Sequence, residues 1–175
     1  MDAETMKAIV ASYWRYTRQC PFVALEASCW LDSFNAGGRA DVLAMTERRL
    51  VVETEIKLNI GDLRRDKHKM KHRCLATNHE RLPTHYFYFA VPWDIANTTC
   101  LLCGNLYPYA GVLGVKGQNN VVVYRKARLR KVPKASLRRM RNIAREQSAT
   151  VCRLAQQVVE LKQSLRRLRV KGEPK

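Results

Sequence analysis

Residues 39–57, RADVLAMTERRLVVETEIK, decide how the chain is read. They predict two short strands joined by a charged turn at Thr46-Glu47-Arg48-Arg49. Side chains alternate between faces along a strand. Glu53, Glu55 and Lys57 therefore share one face, and Val52, Thr54 and Ile56 share the other, which suits a core. A strand that puts two carboxylates and an ammonium on one side calls for an explanation, and a hard divalent cation supplies one. Mg²⁺ takes oxygen ligands, commonly one or two carboxylates with waters and substrate phosphate. Asp41 on the first strand and Glu55 on the second are the candidate ligands, with Lys57 placed for the attacking water or the scissile phosphate. Glu53 lies about 6.6 Å along the strand from Glu55. An ion pair with Arg39 is the favoured reading for it and a second metal the alternative; Glu26 is open in the same way.

Four segments occur in order: Gly38-Arg39-Ala40-Asp41-Val42, Val52-Glu53-Thr54-Glu55-Ile56-Lys57, Asp62-Leu63-Arg64-Arg65-Asp66-Lys67 and Tyr86-Phe87-Tyr88-Phe89-Ala90-Val91-Pro92. Together they resemble the PD-(D/E)XK (restriction-endonuclease-like) nuclease superfamily, and within it the small MmcB-type DNA repair nucleases. The resemblance covers roughly residues 20–130, and Ala40 stands where the motif's Pro would be. It implies a mixed central β-sheet flanked by helices. It also implies a Mg²⁺- or Mn²⁺-dependent (endo)deoxyribonuclease acting in repair, recombination or phage DNA metabolism and leaving 5′-phosphate and 3′-hydroxyl ends. The implied metal ligands are Asp41, Glu55 and the backbone carbonyl of Ile56. Glu4 is a further candidate, since relatives bring a Glu from the first helix.

The chain has 175 residues, enough for one domain and an appendage. Its net charge of +17, from 32 Lys/Arg against 15 Asp/Glu, suits a polyanionic partner, most simply nucleic acid. From Pro133 onward there are 12 Lys/Arg against 3 Asp/Glu, so the acids concentrate in the first part. That boundary divides a nuclease-like domain, 1–132, from a long basic helical extension, 133–175. The start carries Asp2 and Glu4 and no apolar leader, and no run reaches the ~18 apolar residues of a membrane span. The expectation is a cytoplasmic protein, nucleoid-associated if bacterial or phage, with six reduced cysteines and no membrane partner.

Residues 3–18 read as an amphipathic helix, with Met6, Ile9, Val10, Tyr13 and Trp14 at helical spacing. Residues 22–31 alternate as a strand, with Val23, Leu25, Ala27, Cys29 and Leu31 on one face. Turn residues follow at 32–38. Three consecutive strands with short links predict an antiparallel meander. After Gly61-Asp62 a helix carries Arg64, Arg65, Lys67, Lys69, Lys71 and Arg73, a cationic rod proposed to face DNA phosphates. Asp66 and Lys67 would brace it. Residues 85–91 predict a buried central strand, 95–106 a short helix, and 111–115 and 120–125 two strands around a turn at 117–119, with Val121, Val122 and Val123 requiring burial. Cys100 and Cys103 have zinc spacing but no second pair, so they read as helix residues. No phosphate-binding loop appears.

Residues 134–169 hold no Pro or Gly. Leu137, Met140, Ile143 and Ala144 form one apolar stripe. Val151, Leu154, Val158, Leu161, Leu165 and Leu168 continue it with heptad-like spacing. A homodimer through these helices is the favoured reading, and packing back on the domain the other. Two rivals to the nuclease reading remain: a catalytically silent nucleic-acid-binding module of the same fold, and a basic protein-interaction factor built on the tail.

Overall fold

The structure, a computed structural model, describes residues 1–29, 38–117 and 120–171. The end of the first predicted strand with Leu31, the predicted turn residues 32–37, 118 and 119, and the last four residues lie outside them.

Asp2 accepts the Thr5 N–H at 2.7 Å and caps α1 (Ala3–Ser12), which runs on through a π-helical turn (Tyr13–Thr17). One six-stranded sheet follows, in the order β1 (Phe22–Ser28), β2 (Arg39–Met45), β3 (Val51–Ile56), β4 (Tyr86–Pro92), β5 (Gly111–Lys116), β6 (Asn120–Arg125). The first three strands are an antiparallel meander, as expected. β3, β4 and β5 are parallel, and β6 returns antiparallel. The parallel steps need crossovers. α2 (Ile60–Asp66) and α3 (Met70–Ala76) make the first, α4 (Ala96–Leu106) the second. A single 35-residue helix, α5 (Leu137–Lys171), ends the described chain. The architecture is mixed α/β, with helices flanking the sheet.

The core lies in two layers. On one face Met6, Ile9, Val10, Tyr13 and Trp14 cover Val42, Ala44, Val52, Ile56, Ala90 and Leu113. On the other, Leu63, Leu75, Cys103, Tyr107 and Ile143 cover Leu43, Met45, Phe87, Phe89 and Val112. Ala135 and Ile143 belong to that layer, so the chain just past Pro133 shares the domain's core.

Three local expectations are corrected. β1 does not alternate evenly: Glu26 has φ +50° and is skipped in the pairing with β2. Asp41, opposite it, is unpaired too, so the register is the same on either side and the break moves the pattern over by one without an inserted residue. Val23 and Leu25 pack toward the α1 layer, while Ala27 and Cys29 sit in the other. Val122 and Val123 are more than a third exposed, because β6 is an edge strand with no helix fully covering it. Leu137, 77% exposed, starts α5 before the helix reaches the sheet, so it is not part of the apolar stripe's buried section.

Candidate active site

β2 and β3 pair from Met45/Val51 to Val42/Thr54, and the ladder stops there. Beyond it the Asp41 side chain takes the place of a backbone partner: Oδ2 accepts the Ile56 N–H at 2.7 Å. The Lys57 N–H instead donates to the Ala90 carbonyl at 2.9 Å, which keeps the end of β3 on β4. Leu43 lies opposite Glu53. Two residues further along, the same register would set Asp41 opposite Glu55, which lies on the Glu53 side of the sheet, and the charge of Asp41 adds to the upward shift of Glu55. The structure brings together the three residues expected to act together.

That side is covered by α2 and α3, not by solvent. Glu53 is fully buried and Glu55 and Lys57 nearly so. Buried charges need partners. Lys71, from α3, supplies one: its Nζ is 2.7 Å from Glu53 Oε1, 2.5 Å from Glu55 Oε1 and 3.3 Å from the Arg39 carbonyl. Thr84 Oγ1 donates to Glu53 Oε2 at 2.8 Å. Burial pushes the Glu55 carboxyl up to about 7; Lys71 pulls against this, while Glu53 and Asp41 add to it. Burial would lower Lys71, but Glu53 and Glu55 outweigh it and hold the ammonium above the ordinary lysine value. Asp41 is raised, chiefly by burial, against the Ile56 N–H.

Lys57 Nζ sits 2.8 Å from Asp66 Oδ2 and 3.9 Å from Glu55 Oε2. Asp66 also receives Lys69 at 2.7 Å and faces His72 Nε2 at 3.4 Å. His72 Nδ1 meets Tyr109 Oη at 2.7 Å. These partners overcome the burial of Asp66 and hold its carboxyl well below the usual carboxylate range. Asp66 thus does more than brace its helix, because it fixes where the Lys57 ammonium points. Arg130, also buried, donates to the carbonyls of Cys74, Leu75, His79, Leu82 and Thr84, stitching the segment between α3 and β4 beneath the site.

At the open edge, Lys7 from α1 pairs with Glu26 and, at 2.8 Å, with Glu4; it lies 3.9 Å from Asp41 Oδ1. The break in the β1–β2 ladder at Glu26 accompanies the pairing of its carboxylate with Lys7. Burial would depress Lys7, but the hydrogen bonds to Glu26 and Glu4 hold it above its ordinary value. Glu4 itself is exposed and reaches Asp41 only through this lysine.

Two expectations fail here. Lys71 does not face DNA: it is buried under the sheet, and the cationic rod is two seven-residue helices with residues 67–69 between them. Arg64, Arg65, Lys67, Lys69 and Arg73 are exposed, though Arg65 pairs with Asp62 and Lys69 with Asp66. Glu53 does not pair with Arg39, because Lys71 holds it; Arg39 Nη2 lies 3.7 Å from Glu146 on α5. The inward position of Lys71 had a signal. It is three and four residues before Cys74 and Leu75, so helical spacing puts it on their buried side. Lys7 likewise follows Glu4 by three.

No group of three or more His, Cys, Asp or Glu side chains among the described residues is arranged to hold a metal ion. Asp41 and Glu55 offer a smaller set. Each uses one oxygen internally, Asp41 Oδ2 on Ile56 N–H and Glu55 Oε1 on Lys71. The other oxygen of each lies 3.9 Å from an ammonium, Lys7 for Asp41 and Lys57 for Glu55. Two carboxylate oxygens and a carbonyl fit a hard cation that keeps waters and takes phosphate. Cys100 and Cys103 are free thiols on α4, Cys103 within the core.

No protein-family model matches the chain, and no curated protein matches it. Among solved structures it is similar to the SPO1766 protein of unknown function from Silicibacter pomeroyi, with a TM-score of 0.58 at 15% identity over 93% of this chain and 96% of that one. At that identity the likeness speaks for a shared fold alone. None of the described helices is long and apolar enough to cross a membrane.

Proposed function

We propose that the protein is a divalent-metal-dependent DNA nuclease of the PD-(D/E)XK type, hydrolysing phosphodiester bonds in DNA repair, recombination or phage DNA metabolism. The observation that carries this reading is the parting of β2 and β3 at Asp41, which sets Asp41 across from Glu55 with Lys57 beside it. Asp41, Glu55 and the Ile56 carbonyl would hold Mg²⁺ or Mn²⁺, with Glu4 a further candidate. Such an ion would polarise the phosphodiester and lower the pKa of a bound water.

The chain's own residues do the rest. Asp66 anchors Lys57 so that its ammonium sits beside Glu55, where it orients the nucleophile and stabilises charge developing on phosphate. Lys71 neutralises Glu53 and one oxygen of Glu55, so that the buried carboxylates coexist before substrate arrives. Arg64, Arg65, Lys67 and Arg73 are exposed on the helices that follow the site and suit the flanking DNA phosphates. The net charge of +17 agrees with a nucleic-acid partner. Cytoplasmic or nucleoid location follows from that partner.

Lys71 on Glu55 and Asp66 on Lys57 also favour a second reading, a binding module of the same fold whose would-be catalytic groups are neutralised internally. Labelled single-stranded, duplex, flap and four-way-junction DNA, offered with Mg²⁺, Mn²⁺ or EDTA, separates the two. The nuclease cuts at least one substrate only with metal, and Asp41→Ala abolishes cutting while keeping affinity. Salt-sensitive binding with no cutting by the wild type selects the binding module.

A further inference from the structure

The apolar stripe of α5 has two fates. Ile143, Thr150, Leu154, Val158, Leu161 and Leu165 follow one another at steps of seven, four, four, three and four, a single continuous helix face. The early part is seated on β1: Ile143 is in the core, Thr150 is buried with its hydroxyl directed at the Leu25 carbonyl, and Arg139 donates to the Ser28 carbonyl at 2.6 Å. From Val151 to Arg167 every residue is exposed, with Leu154 at 47% and Leu161 at 63%. Residues 151–171 extend about 30 Å along the helix. An apolar seam of that length on an exposed helix marks an interface.

We propose that a second copy of this chain covers the seam, in an antiparallel helix pair centred near Val159 and Glu160. The spacing is self-complementary, Val and Leu recurring at three- and four-residue steps. The seam is flanked by Ala155, Gln157, Lys162 and Ser164, with a single charge among them. Two copies thus meet without like charges across the seam, whereas an acidic partner helix would find little basic flank to recognise. Direction follows from the seated half. The seam continues the face that packs on β1, so a parallel partner would drive its own residues 137–150 into space the sheet occupies. An antiparallel partner runs the other way, past the sheet's edge. Its domain then lies beyond the end of the first helix, about 50 Å from the first domain by helix rise. Antiparallel pairing also separates the two basic ends, each carrying Arg166, Arg167 and Arg169, which a parallel pair would crowd together.

The nuclease reading is not needed for this, and the test reads mass, not cleavage. Sedimentation equilibrium of the full chain, freed of nucleic acid and at high salt to screen the basic helices, should give twice the chain mass. The L154E/L161E variant should give the single-chain mass and still unfold in a cooperative thermal transition, since both positions are exposed in the single chain. Gln156→Glu, on the opposite face, should remain dimeric. In a Cys152→Ser background, mild oxidation should link L154C/L165C into a covalent dimer and leave L154C alone unlinked. A monomeric wild type overturns the proposal, as does a dimer indifferent to L154E/L161E. A monomer that pellets with anionic vesicles would make a membrane surface the occupant instead. Cross-linking of L154C alone would overturn the antiparallel direction.

Discussion

β3 shows two kinds of burial back to back. Val52, Thr54 and Ile56 turn toward α1, where Trp14 Nε1 donates to Thr54 Oγ1 at 3.0 Å. Glu53, Glu55 and the adjoining Lys57 turn toward α2 and α3, and are as buried as the apolar face. There, position is held by charge: Lys71 between two carboxylates, and Asp66 against Lys57. On the apolar face, truncating one side chain leaves the others in surroundings that still suit them. The charged face is interdependent, because removing one partner leaves another charge buried and unmatched.

The strongest way to break that contrast is Lys71→Met. It strands Glu53 and Glu55 without a cation and should cost about 3–5 kcal/mol in metal-free chemical denaturation. Mg²⁺ should recover more stability in this variant than in the wild type. Next is Lys57→Ala, which should lower the cleavage rate on the preferred substrate by about 10²–10³-fold, the range for losing one preorganised electrostatic group. DNA affinity in EDTA should hardly change. On the apolar face, Trp14→Phe removes one buried hydrogen bond and should cost about 1 kcal/mol, with cleavage unaffected. An activity loss comparable to that of Lys57→Ala would erase the distinction between the faces.

The smallest effect is on pH. Burial holds His72 below its ordinary value of 6.5, against the upward pull of Asp66. As pH falls through 6.5 the unfolded chain takes up a proton there that the folded chain does not. This contribution to stability is therefore complete above 6.5 and lost on acidification. Glu55, raised by burial from 4.5 to about 7, acts in the opposite sense, its contribution declining as pH rises across that window. His72→Gln should remove only the first effect. Its stability between pH 5 and 7 should differ in slope from the wild type by at most about 1.4 kcal/mol per pH unit.

Much of this was legible along the chain. Strand alternation put Glu53, Glu55 and Lys57 on one side, and the aromatic run at 86–92 marked a buried strand. The first helix also stood out, its apolar residues at helical spacing. What local patterns missed were partners distant in sequence. A run of basic residues reads the same whether solvated or buried, so Lys71 looked like its exposed neighbours until β3 presented two carboxylates to it. Arg39 was the nearest cation to suggest for Glu53, but α3 arrives closer from eighteen residues downstream. The break at Glu26 left no mark in an evenly alternating segment, since it depends on how β1 meets β2 at Asp41. Val121 to Val123 have the composition of a buried strand, but burial requires a neighbour on both faces, and the sheet ends there.

The sequence by itself determined the periodicities: which residues share a strand face or a helix stripe, where turns interrupt them, and that the chain is strongly basic. These depend on backbone geometry and composition alone. The tertiary structure decided which charges meet. Lys71 with Glu53 and Glu55, Asp66 with Lys57, and Lys7 between Glu26 and Asp41 each join separate elements. Coulomb energy depends on distance and burial, and both are set only when the sheet and its helices pack.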